Sequence, residues 1–256
     1  MNAPMPVAFL GHGSPMNAIE TNRYTEAWKA FAAALPRPRA IVAISAHWDV
    51  PGSGVTVNER PPTIHDFGGF PPALFAVTYP APGDPGLAAE IAALLGLGRE
   101  GATERWGLDH GTWSLLVHMY PKADIPVLQV AVDTTRDPAY HWELGARLGA
   151  LRDRGVLIIG SGNVVHNLQT MNLNAPRPYD WNVRFDTGIA NAVADGDRER
   201  LLGYQRDPDA AMAAPDAEHF VPVIAIAGLR RPADSYRSIV EGYELGSMSM
   251  RAFALG

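Results

Sequence analysis

Eight histidines and no cysteine limit the metal chemistry open to this 256-residue chain. Any bound metal would have to be held by imidazole and carboxylate, since no thiolate is present. His12 and His47 each follow a short apolar run, residues 7–10 and 40–46, which reads as a buried strand. Strand ends are rigid, as a metal site requires, and ligands bind at the carboxyl edge of an open α/β sheet. The pair reads either as ligands or as polar caps of that edge, and its matched placement favours ligands.

His166 lies six residues beyond Gly160, where a third apolar run (156–160) ends; it could stand beside a metal as easily as on it. His219 follows Glu218 and opens an apolar segment, 219–229, so a ligand and a helix N-terminal histidine are equally open readings. His65 and His110 fall in loops rich in glycine and aromatics, next to Asp66 and Asp109, carboxylates suited to orienting an imidazole. His118 and His141 sit in helical patterns and read as hydrogen-bonded structural residues. Competing chemistries are weaker. The turn Gly11-His12-Gly13-Ser14 suggests a phosphate cradle but lacks the lysine and spacing of a P-loop. Ser14 or Ser161 could serve a triad, yet Gly160-Ser161-Gly162 does not continue as a nucleophile elbow.

The elements that must position these residues form an α/β pattern. Residues 23–35 place Tyr24, Trp28 and Phe31 on one stripe of a helix between the first two strands, a βαβ unit with parallel strands. Residues 51–85, dense in proline, glycine and aromatics, read as an ordered binding loop or lid. Helices are expected over 86–95, 113–120, 139–152 and 181–194, strands over 125–132 and 156–160, and a closing pair of strands over 238–255. No repeat or domain boundary interrupts the chain, so 1–256 is expected to be one catalytic domain. A formal charge of −6 without a dense basic cluster argues against nucleic acid as a partner. The absence of a leader pattern or an 18-residue apolar run leads to the expectation of no membrane association and a cytoplasmic location.

The segments FLGHGSPMNAIE, ISAHW, PPTIHDFGGFPPALF, YPAPGDP, WGLDHGTW, ADIPVLQVAVD and GSGNVVHNL, in this order, carry a resemblance. With EHFVPV and GSMSM toward the end, nearly the whole chain is similar to the DOPA-dioxygenase branch of the class III extradiol ring-cleavage dioxygenases. The resemblance implies a three-layer α/β/α sandwich around a central, largely parallel mixed sheet. It implies one divalent metal per chain, held by His12, His47 and His219, with Fe(II) needed for activity and Zn(II) found on isolation. His166 maps to the acid/base beside the metal, and His110 could hydrogen-bond a substrate hydroxyl or oxygen.

Many extradiol enzymes use two histidines and one carboxylate. Here the third position maps to His219, with Glu218 beside it as the alternative. The implied partners are a small aromatic diol and O2, in a monomer or small homo-oligomer. Phe67, Phe70 and Phe75 either wall the aromatic ring or anchor the long loop. A zinc hydrolase using the same histidines, with His166 as base, and a non-catalytic binding protein that keeps the metal cleft remain as alternatives.

Overall fold

Alternate residues of the buried strands feed two separate cores, and this divides the molecule into layers. The computed structural model describes residues 3–98 and 100–256; the first two residues of the segment read for a leader lie outside them. The first half runs β1 (Val7–Gly11), α1 (Arg23–Ala33), β2 (Ala40–Asp49), β3 (Val55–Thr56), α2 (Pro72–Phe75), α3 (Pro85–Leu95), β4 (Ala102–Thr103), α4 (His110–Met119) and β5 (Val127–Val132). The second half runs α5 (Pro138–Leu148), β6 (Val156–Gly162), α6 (Asp180–Asp195), α7 (Arg198–Leu202), α8 (Ala210–Ala213), α9 (Val221–Gly228), β7 (Tyr236–Val240), β8 (Tyr243–Glu244), β9 (Met248–Ser249) and β10 (Ala252–Leu255).

Eight strands form one mixed sheet in the order β4-β3-β5-β2-β6-β1-β10-β7. Its centre is parallel: β5 pairs with β2, β2 with β6 and β6 with β1. The antiparallel neighbours β10 and β7 extend one side. Val7 and Phe9 of β1, Val42 and Ile44 of β2, and Val156 and Ile158 of β6 face the core shared with α3, α5, α6 and α9. Their neighbours Ala8, Leu10, Ile41, Ala43, Leu157 and Ile159 face the core built from α1 and α4. Burial on both faces explains why these strands read as continuous apolar runs rather than as alternating ones. The architecture is the expected three-layer α/β/α sandwich. No helix among the described residues is long and apolar enough to cross a membrane.

Local chemistry moves some boundaries. Asp109 caps α4, its carboxylate accepting from the Thr112 amide at 3.2 Å, so the helix starts at His110 and not at Trp113. The long 51–85 segment contains β3 and α2, and the tail adds the small β8–β9 hairpin to the two expected strands.

His141, expected to be structural, is fully buried in α5; its Nε2 donates to the Asp133 carbonyl and its Nδ1 has no partner. Burial, opposed in part by Asp133, holds its pKa below the ordinary 6.5. The unfolded chain therefore takes the proton first as pH falls. His141 thus removes stability on the acid side, by up to about 1.4 kcal/mol per pH unit between 6.5 and the folded pKa. His141→Gln should flatten the acid limb of a urea-denaturation pH series by that share, and an unchanged slope would contradict the assignment.

Candidate metal centre

The register of the parallel strands delivers the first imidazoles to one edge. Gly11 pairs with Gly162 at the end of β1 and β6, and the His12 amide then donates to the Gly162 carbonyl at 3.1 Å. On β2, the pairing with β5 passes from Ser45–Ala131 directly to Asp49–Val132, leaving 46–48 unpaired on that side. Such an irregularity re-aims side chains, and His47 sits within it. The ladder reaches His219 as well: the Asn163 amide donates to the His219 carbonyl at 2.9 Å, just before α9 begins. His166 is fixed by donation from its amide to the Ala213 carbonyl and by a bridge to Met248.

These elements bring His12, His47, His110, His166 and His219 into one cluster. Ring centroids lie 4.9 Å apart for His12–His47, 3.9 Å for His47–His110, 5.4 Å for His12–His219 and 5.0 Å for His47–His219. His166 stacks on His219 at 3.6 Å, the planes within 7°. Ligand atoms of His12, His47 and His110 fall within 4.8 Å of one another, and so do those of His166, Glu218 and His219. The cluster is positioned to bind a metal ion. His65 stays apart in role: its Nε2 donates to the Val77 carbonyl and secures the loop. His118 likewise donates to the Asn17 carbonyl.

Hydrogen bonds decide which nitrogens remain open. The Ser161 hydroxyl spends its proton on the Gly111 carbonyl at 2.5 Å, so it can only accept from His12 Nδ1, 2.9 Å away. His12 Nε2 is thereby a lone pair, and it faces His47 Nε2 at 3.0 Å. Something positive must lie between these nitrogens, either a proton of His47 or a cation. His219 Nδ1 donates to Glu218 Oε1 at 3.1 Å, which frees its Nε2 in the same way. Neutral nitrogen donors with their far sides tied to hydroxyl or carboxylate suit zinc or ferrous iron.

Burial, reinforced by the neighbouring imidazoles, pushes the pKa values of His12 and His47 well below 6.5 and that of His166 down to about 3. His12, His47 and His166 are thus neutral and ready to donate lone pairs. Burial works to raise the carboxyls of Asp66 and Glu218, but hydrogen bonds from His110 and His219 outweigh it and hold both low. Asp109, fully buried, is pushed up.

Three features of the site differ from the sequence expectation or escaped it. Asp109 does not orient His110; its carboxylate bonds Ser45 and Gln129, while His110 pairs with Asp66 from the long loop. Ser161 is an orienting group for His12 and not a nucleophile of a triad. The space at Gly11 and Gly13 serves the C-terminal segment. A Cβ there would meet the Arg251 carbonyl at 2.8 Å or the Met250 sulfur at 2.5 Å, and Gly13 also has φ +62°.

Clearance around a site histidine comes from Gly111, where a Cβ would lie 2.8 Å from His47 Cδ2 and 2.9 Å from Ser45 Oγ. Gly111→Ala should cost about 1–3 kcal/mol by overpacking, read from chemical denaturation. A wild-type midpoint would show that His47 yields freely.

Over residues 6–252 the chain matches the family described as the catalytic LigB subunit of aromatic ring-opening dioxygenase. The chain belongs to this family, the class III extradiol dioxygenases, which open aromatic rings. It is 45% identical over 257 residues to the "4,5-DOPA dioxygenase extradiol" of Escherichia coli K12, covering 98% of this chain and 95% of that protein. The protein of the same name from Beta vulgaris is 36% identical, with coverage of 96% and 94%. A crystal structure of an uncharacterised E. coli K12 protein aligns with a TM-score of 0.84 at 38% identity, over 98% of this chain and all of that one.

Proposed function

We infer that this enzyme is an Fe(II)-dependent extradiol dioxygenase that cleaves the ring of a catechol, DOPA or a related catecholic acid, to a ring-opened semialdehyde. The observation that carries this reading is the clustering of imidazole nitrogens, two of them 3.0 Å apart, at the sheet edge of a chain whose relatives bear the name 4,5-DOPA dioxygenase. His12, His47 and His219 are assigned as the ligands of one divalent ion per chain, zinc being the form expected on isolation. A ferrous ion held there would supply a path for electrons from catechol to dioxygen.

The stacked pair argues for separating ligand from acid/base. In-plane lone pairs of two nearly parallel rings do not converge on one point, so His166 and His219 are poorly arranged to share an ion. His219, backed by Glu218, is the better donor of the two. His166 is left to take the proton of a substrate hydroxyl and return it to the departing oxygen, since burial and the neighbouring imidazoles keep it neutral with a lone pair to receive that proton. His110 is assigned to a hydrogen bond with the bound substrate, and Phe67, edge-on to it at 5.4 Å, to walling the ring. Phe67 also contacts Phe70 and the α1–α4 core, so walling and anchoring fall to one side chain.

Oxygen uptake after anaerobic loading tests the reading. Fe(II)-loaded protein should consume O2 on addition of a catechol and give a yellow product, and zinc-loaded protein should do neither. No uptake across a panel of catechols would sink it.

A further inference from the structure

Asp66 lies in the long loop, 44 residues before the histidine it binds. The loop is pinned just before it: the Ile64 amide donates to the Leu108 carbonyl, Trp113 Nε1 donates to the Ile64 carbonyl, and His65 Nε2 donates to the Val77 carbonyl. One carboxylate oxygen of Asp66 accepts the His110 amide at 2.9 Å. The other accepts His110 Nδ1–H at 2.9 Å and lies 3.2 Å from His47 Nδ1. A single oxygen thus faces the outer nitrogen of two site imidazoles on different elements.

We propose that Asp66 is the positioning residue for both: by holding the protons of His47 and His110 on Nδ1, it leaves each Nε2 as a lone pair for the pocket. The inference rests on the reading of the cluster as a metal site. For His47 the alternative is explicit. Its proton can sit on Nε2 and bridge to the His12 lone pair, which closes the pocket to a cation, or on Nδ1 against Asp66, which opens it. Asp66 tips this choice. The carboxylate also ties the loop bearing Phe67 to the histidines, so the ring wall and the metal ligands share one anchor.

An asparagine cannot reproduce the arrangement. With its oxygen toward the imidazoles, its amide faces the His110 N–H, donor against donor. Flipped, the amide donates to the two Nδ1 atoms and drives their protons to Nε2, where the ion would sit.

The test pairs zinc affinity, measured by chelator competition, with imidazole 15N spectra of wild type, Asp66→Asn and Asp66→Glu. Asp66→Asn should weaken zinc binding about 10- to 100-fold and move His110, metal-free, from the Nδ1–H to the Nε2–H form. His12, held by Ser161, should keep its tautomer, and Asp66→Glu should restore the Nδ1–H state. Unchanged affinity and tautomers in Asp66→Asn would overturn the proposal, as would a wild-type His110 protonated on Nε2, which needs no variant to fold. If wild type binds no stoichiometric zinc, the metal-site reading fails, and the metal-free His110 tautomer still decides the role of Asp66.

Discussion

Replacing His166 with alanine should leave the metal content of the protein unchanged while lowering turnover of a catechol about 10²- to 10⁴-fold, the range for loss of a positioned acid/base. His12→Ala, His47→Ala and His219→Ala should instead lose the metal, and with it all oxygen uptake. The contrast follows from how each ring is held. His12 and His219 have their outer nitrogens tied to Ser161 and Glu218, His47 has its own beside Asp66, and the three rings lie 4.9, 5.0 and 5.4 Å apart by centroid. His166 is fixed through its backbone and stacks flat on His219, which leaves the in-plane lone pairs of the two rings in nearly parallel planes rather than crossing ones. Metal analysis beside oxygen-electrode rates separates the two groups. Loss of metal from His166→Ala as complete as from the others would reassign it as a ligand.

Asp234→Ala should destabilise the fold by about 3–5 kcal/mol, the cost of leaving one partner of a buried ion pair alone. Arg152 is fully buried at the end of the sheet opposite the histidines. It reaches both Asp234 oxygens at 2.7 and 2.9 Å and the carbonyls of Met5 and Leu229. Removing the carboxylate strands a guanidinium where water cannot reach it.

Burial works to raise the Asp234 carboxyl, but its bonds to Arg152 and Arg231 hold it low. The group therefore contributes stability above the unfolded carboxylate pKa of about 3.9 and loses it as pH falls through the lower folded value. The exposed pair Arg37–Asp124 provides the contrast, since Asp124→Asn should not measurably shift the denaturation midpoint. Equal effects of the two substitutions would contradict the burial argument.

Residues adjacent in sequence to a strand end were legible before any coordinates. His12 and His47 declare themselves because apolar runs stop at them, and the parallel register then carries them to one edge. The α/β layering was equally open to reading, since strands buried on both faces leave uninterrupted apolar stretches. The partners of the histidines were not. Asp66 and His110 are far apart in sequence, and only the folded loop joins them, so the adjacent Asp109 looked the better partner. Its role as an N-cap carried a local signal, an aspartate three residues before Thr112 at the start of an apolar helix, and that signal also fixes His110 in the first turn of α4. Ser161 was invisible as an orienting group because the destination of its proton, the Gly111 carbonyl, depends on tertiary contact.

The central claim, ring opening by dioxygen at this histidine cluster, is tested most directly by turning over a catechol with isotopically labelled O2 on Fe(II)-loaded protein and weighing the product. One ring-opened product carrying both labelled oxygen atoms is expected, absent from zinc-loaded protein and from the His12→Ala variant. A product without label, or equal turnover by the His12→Ala variant, would contradict it.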